Sequence, residues 1–175
     1  MKSTGVVRRV DDLGRIVIPK EIRRTLRIRD GESLEIFVDR EMIALKKFSK
    51  MSDMNEVSKQ LVDIVNSVIG QNVFITDRDS FIAGSGSLKK EYLNKSISKT
   101  LEKIMKERKT VVEHEPHVIE LIDGNPEKYS YVICPVIMNG DAIGLVLIFS
   151  VQSVGQVEEK MADVVSKFLG KHIEE

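Results

Sequence analysis

Nine basic residues fall within the first 29 positions: Lys2, Arg8, Arg9, Arg15, Lys20, Arg23, Arg24, Arg27 and Arg29, against Asp11, Asp12 and Glu21. Seven of the nine are arginine. A guanidinium offers a planar fork of donors that matches phosphate oxygens and guanine edges, whereas an ammonium is a point charge. The chemistry open to such a cluster is anion recognition. A nucleic-acid backbone is one reading, and a solvated surface face is another that composition alone leaves equally open. The chain of 175 residues balances 27 Lys and Arg against 27 Asp and Glu. That zero is a cancellation, since residues 1–50 carry 13 bases and 8 acids, and residues 51–175 carry 14 and 19. A basic segment of +5 precedes an acidic one of −5.

Other reactive groups are sparse. His114-Glu115-Pro116-His117 invites a metal reading, but Pro116 breaks any regular helical spacing and no cysteine pair lies near, so no metal is expected. Ser85-Gly86-Ser87 is better read as a strand-end turn than as a phosphate loop, because it lacks P-loop spacing. Cys134 sits in the apolar run Val132 to Val136 and reads as a small core residue. As the one cysteine it forms no internal disulfide, which fits a reducing compartment. No nucleophile, base and orienter can be assembled, so an enzyme is not expected and no cofactor signature is present. No apolar run approaches the roughly 18–20 residues that span a bilayer, and the N-terminus carries no signal-like apolar region. No membrane partner is expected, and a cytoplasmic setting follows.

The elements that must position the arginines are short. Gly5 to Val10 and Arg15 to Ile18 read as strands around a turn at Asp11-Asp12-Leu13-Gly14, and Pro19 opens a short helix from Lys20 to Leu26. After a turn at Asp30-Gly31, Leu34 to Val38 and Met42 to Leu45 make a hairpin. About 47 residues cannot bury a self-sufficient core without disulfides or metal, so this segment should pair with a second copy or lean on its neighbour.

Phe48 to Ser52 reads as a connection. Beyond it, apolar residues at Met54, Val57, Leu61, Ile64, Val65, Val68 and Ile69 have helical spacing, with Gly70 as the stop. Strands follow at Asn72 to Asp77 and Phe81 to Gly84, then a helix from Ser98 to Arg108. Further strands are expected at Val111 to Glu113, His117 to Ile122, Tyr129 to Val136 and Ala142 to Ser150, the last two joined by the hairpin signal Asn139-Gly140-Asp141. A final helix runs from Val154 to Ile173. The expected class is α+β, an antiparallel sheet flanked by helices.

The run Ser3-Thr4-Gly5-Val6-Val7-Arg8-Arg9-Val10-Asp11-Asp12-Leu13-Gly14-Arg15-Ile16-Val17-Ile18-Pro19-Lys20-Glu21-Ile22-Arg23-Arg24-Thr25-Leu26, continued by Gly31, Leu34 to Val38 and Ile43 to Lys47, resembles the DNA-binding domain of the AbrB-type transition-state regulators. Val73 to Asp79, Ser85-Gly86-Ser87, Lys89 to Ser98, Asn139-Gly140-Asp141 and Ile143-Gly144 resemble the regulatory domain of the stage V sporulation protein T family. The resemblance implies a swapped-hairpin module over residues 1–52, in which two chains interleave strands, and a GAF-like regulatory and oligomerisation domain over 53–175. It implies a homotetramer on double-stranded DNA that activates and represses sporulation genes on the nucleoid of the forespore. The family's DNA-contacting arginines fall on Arg8, Arg15, Arg23 and Arg24, with Lys2, Arg9 and Lys20 as accessory contacts. By analogy with GAF-like folds, Phe81 to Leu93 and Ile119 to Tyr131 would wall a small-molecule effector site, while a second reading gives that domain no ligand and lets its end helices join chains. The alternative function is an antitoxin, since the same module occurs in toxin antidotes. A disordered toxin-wrapping tail would then be expected, and residues 51–175 are patterned for order instead.

Overall fold

A computed structural model describes the backbone of residues 4–174 and, except at 52, 173 and 174, their side chains. The chain divides into two compact units, Met1–Phe48 and Ser49–Glu175.

The first unit contains helix α1 (Lys20–Thr25) and the antiparallel hairpin β1 (Leu34–Asp39) and β2 (Met42–Lys47), in register from Leu34 opposite Lys47 to Asp39 opposite Met42. The two strands expected at Gly5 to Val10 and Arg15 to Ile18 do not appear as ladder strands; both segments lie outside the sheet. The reason is physical. A strand exists only where another strand takes its N–H and C=O groups, and the two-stranded sheet of this unit holds β1 and β2 alone.

The second unit begins within the expected connection, at Ser49. Lys50–Met54 forms a 3-10 turn whose Met51 is fully buried, so these residues belong to a core rather than to a connection. Helix α2 (Asn55–Ile69) follows and ends where Gly70 takes the left-handed conformation (φ 69°), its N–H closing on Asn66 O at 2.7 Å. Strands β3 (Asn72–Thr76) and β4 (Phe81–Ser85) come next. A single turn α3 (Lys89–Tyr92) and helix α4 (Lys99–Glu107) lead to β5 (Val111–Ile122), β6 (Asn125–Met138), β7 (Asp141–Ser150) and the terminal helix α5 (Gln156–Glu174). Ser98 caps α4 by accepting from Leu101 N, as its type favours. The sheet order is β4-β3-β7-β6-β5, with antiparallel neighbours throughout. The two strands expected at Val111 to Glu113 and His117 to Ile122 are one strand, irregular between Glu113 and His117. Pro116 cannot donate to a ladder, and a bulge on an edge strand accommodates it. The hairpin between β6 and β7 turns at Asn139 and Gly140, both at positive φ (48° and 81°), as the Asn-Gly pair predicts.

Strand β7 is central, and its period-two alternation builds both layers. Val146 and Ile148 face one core with Val73, Ile75, Val132, Cys134 and the helices α2 and α5. Leu145, Leu147 and Phe149 face the other with Phe74, Phe81, Leu101, Ile104 and Ile133. All five β7 residues from Leu145 to Phe149 have zero exposure. Each such side chain contributes about 1.5–3 kcal/mol relative to exposure. In the second core, Phe74, Phe81, Tyr92, Tyr129 and Phe149 pack ring against ring, with centroids 4.9–5.6 Å apart. The Tyr92 hydroxyl donates to the Glu127 carboxylate. Cys134 is buried against Val132 and Val146, and burial pushes its thiol up, so the core reading holds for it.

Two consequences are measurable. A Cβ on Gly144 would lie 2.1 Å from the Thr76 carbonyl oxygen, a backbone atom fixed by the β3–β7 ladder. Gly144→Ala should lower unfolding free energy by about 1–3 kcal/mol in urea titration, with the slope on denaturant unchanged. All three tyrosines, Tyr92, Tyr129 and Tyr131, have phenol pKa values raised chiefly by burial. The folded state therefore holds its phenol protons above the pH at which the unfolded chain loses them, so stability is complete below pH ~10 and falls as pH rises beyond it. Absorbance at 295 nm should stay flat through the ordinary tyrosine range and rise only with loss of the near-ultraviolet circular dichroism.

Candidate nucleic-acid interface

The first unit presents its bases on short, locally stapled segments. Arg8 and Arg9 are exposed on the segment that enters the Asp11 turn. Asp11 organises that turn. Its backbone N–H donates to Arg15 O at 3.0 Å and its carbonyl accepts from Gly14 N at 3.0 Å. Its Oδ1 accepts from Leu13 N (3.0 Å) and Arg15 N (2.7 Å), and its Oδ2 accepts from Arg15 Nε (2.8 Å). Gly14 sits at φ 76°, a conformation that few other residues adopt at low cost. The Arg15 amide and guanidinium together hold the Asp11 carboxyl below the usual range. The Arg15 side chain stays 69% exposed while so held.

Pro19 is the residue before α1, with φ −57°, and its carbonyl accepts the first helical bond from Arg23 N at 2.9 Å. Lys20 and Arg24 are exposed on α1 and, four residues apart, share one face. Arg23 is half-buried, and its Nη1 donates to Asp30 Oδ1 at 2.7 Å. Lys2 lies outside the described residues. Arg29, for which the sequence leaves a solvated face and an anion contact equally open, is half-buried: its amide donates to Glu32 Oε2 at 2.9 Å. The Glu32 side chain is 6% exposed, and the Lys47 ammonium stands 3.9 Å from its carboxylate. Lys47 also donates to the carbonyls of Leu26 and Arg27, which ties the end of α1 to β2. Asp11, Asp30, Glu32 and Lys47 therefore matter to the shape of this face; sequence reasoning placed Asp11 and Asp30 in turns and gave none of the four a part in holding the bases. The one available signal was that acids stand within a few residues of the bases they hold.

Among the described residues 4–48 none is buried. Val7, Leu13, Val17 and Val38 are 70–87% exposed, and an apolar groove of about 340 Å³ is lined by Val6, Ile16, Ile18, Ile22, Leu26 and Leu45 among others. In the second unit, the segments Phe81 to Leu93 and Ile119 to Tyr131 contribute Phe81, Tyr92, Ile119, Leu121, Tyr129 and Tyr131 to one hydrophobic cluster. The His114 ring nitrogen Nδ1 lies 3.0 Å from Val154 O, and Val154 N donates to His114 O at 3.0 Å, so this histidine fastens β5 to the approach of α5. Among the described residues no group of three or more His, Cys, Asp or Glu side chains could hold a metal ion. No helix of the described residues is long and apolar enough to cross a membrane.

Residues 53–174 match the family model for the stage V sporulation protein T C-terminal domain, a transcription factor. The chain belongs to the stage V sporulation protein T family. Across 178 aligned positions it is 50% identical to Stage V sporulation protein T of Bacillus subtilis (strain 168), covering all of both chains. The sporulation transcription factor family thus accounts for the full length. Residues 7–51 match the model for the antidote-toxin recognition protein MazE, a bacterial antitoxin. Over 48 residues the chain is 65% identical to the transition state regulatory protein AbrB of the same organism, a match that spans 27% of this chain and 50% of that one. The fold of the second unit is that of GAF domains: the GAF domain of a phosphoenolpyruvate-protein phosphotransferase from Coxiella burnetii superposes with TM-score 0.57 at 12% identity, over 69% of this chain and 82% of that one.

Proposed function

We propose that this member of the family is a homo-oligomeric regulator that binds double-stranded DNA through Arg8, Arg15, Arg23 and Arg24, with Arg9, Lys20 and Lys2 as accessory contacts. It acts in the cytoplasm of the developing forespore, on the nucleoid, and activates some sporulation genes while repressing others. The observation that carries this reading is the arginine set itself, reaching solvent on a unit that is 65% identical over 48 residues to a transition state regulator. Two copies would present about eight such side chains, and log K would then fall with log salt at a slope of about −7. No long recognition helix is available among the described residues of this unit, so groove shape and deformability would contribute much of the specificity. The net charge of −5 over residues 51–175 would turn the second unit away from the duplex and favour the arginine face.

Oligomerisation has two supports. The uncovered apolar residues of 4–48 call for a second copy whose strands complete the sheet and pair with the segments Val6 to Val10 and Ile16 to Ile18. On the second unit, α2 and α5 each bury one stripe and leave another in solvent: Ile64 and Val68 on α2, and Val157, Val164 and Phe168 on α5 are 45–62% exposed. Helices with apolar residues on two sides suit a bundle, and a tetramer follows if dimers meet through them. The packed aromatic interior favours this assembling role over an open ligand cup. The antitoxin alternative draws only on residues 7–51, and the segment where a toxin-wrapping tail would lie is a folded domain with a five-stranded sheet.

Replacing Arg15 and Arg24 with Ala should weaken promoter binding and make the salt dependence shallower by about 0.9 in slope for each phosphate that is no longer neutralised. Unchanged affinity with unchanged slope, measured by anisotropy at two salt concentrations, would reject the arginine grip. The variant Val164→Glu with Phe168→Glu should convert tetramers to dimers in sedimentation equilibrium while leaving the circular dichroism intact. A tetramer that persists would exclude α5 from the interface.

A further inference from the structure

The carboxylates beside the arginines point to a positioning device that the arginine grip alone does not contain. We propose that Asp11 is a positioning and specificity-determining residue for DNA, holding the Arg15 guanidinium in one place so that only a duplex with matching phosphate and groove geometry can take it over. This rests on the reading of Arg15 as a DNA contact.

One carboxylate serves the turn and the side chain together: Oδ1 accepts from the Leu13 and Arg15 amides, and Oδ2 accepts from Arg15 Nε at 2.8 Å. The bonds to Oδ1 shape the turn, and the bond to Oδ2 fixes the side chain relative to it. A guanidinium tethered by Nε still has its terminal nitrogens to offer, aimed in a set direction. Arg15 accordingly remains 69% exposed and able to meet a second anion while still held. A freely rotating arginine would reach phosphates of any duplex, since backbone contacts carry no sequence information by themselves. Tethering costs affinity on mismatched DNA, where the carboxylate bond must be given up to reach a displaced phosphate. It costs little on matched DNA, where that bond is kept. Asp30 stands in the same relation to Arg23, with Oδ1 accepting from Nη1 at 2.7 Å. Its own side chain is 94% exposed, so it serves the arginine and little else.

Asp11→Asn separates the two duties of this side chain. The amide oxygen can still accept from Leu13 N and Arg15 N, while the NH2 group now faces the Arg15 donor and releases it. The test uses the full-length chain, a duplex enriched by selection from a random library, and a scrambled duplex of equal length. D11N should raise affinity for the scrambled duplex about threefold, the scale of one exposed ion pair, and raise affinity for the selected duplex less. The ratio of the two affinities falls accordingly. In an Arg15→Ala background D11N should leave the ratio unmoved. Asp12→Asn, the same charge change one residue along, should leave it unmoved too. An unchanged ratio in D11N, an equal fall in the R15A background, or an equal fall in D12N overturns the proposal. If D11N lowers the thermal midpoint, Asp30→Ala, which leaves no oxygen for Arg23 Nη1, carries the same test for Arg23 with Arg23→Ala as its background. R15A binding both duplexes as tightly as the parent chain is a separate result, and it removes the Arg15 contact itself.

Discussion

The apolar side chains of residues 4–48 have no interior within one chain. None of the described residues in that unit is buried, and its valines, isoleucines and leucines stand in solvent to a degree rare in a stable monomer. Apolar surface left in water contributes nothing to offset the chain entropy lost on folding, and the remedies open to about 48 residues without disulfides or metal are few. Intermolecular completion of the core answers the exposed side chains and the segments left outside the sheet together. The same constraint bears on recognition. If two copies complete the core, each arginine is presented twice about a symmetry axis, and a palindromic or pseudo-palindromic target follows from geometry rather than from any individual contact.

The second unit satisfies its own interior. Its central strand is buried on both faces, the edge strand β5 carries an irregularity at its proline, and helices cover both sides of the sheet. What it leaves exposed is therefore informative: two helices with a second apolar stripe. A domain that already buries a full core has no folding need for those residues. Between the sheet and α4, stacked and edge-on aromatic rings pack against one another.

Much of the fold was legible because its signals were local. The helical spacing from Met54 to Ile69 with Gly70 as its stop and the Asn139-Gly140 hairpin each depend on residues a few positions apart, and each appears where expected. The departures had non-local causes. Met51 reads as linker because nothing nearby reveals that it enters a distant core. The setting of Arg29 stays open in the sequence because Glu32 and the Lys47 beside it come together only when the chain returns along β2. The division of β5 into two strands takes Pro116 as a break, where an edge position tolerates it as a bulge.

By itself the sequence determined the two-part division of charge, the basic N-terminal segment, the α+β class and the family, because composition and short motifs survive any arrangement of the chain in space. Tertiary structure alone decided which apolar residues are core and which are surface, since helical periodicity marks a stripe without saying what covers it. It also decided that Asp11 and Asp30 hold the arginines they neighbour, because an acid near a base in sequence becomes a partner only when turn geometry brings oxygen to within hydrogen-bond reach of nitrogen.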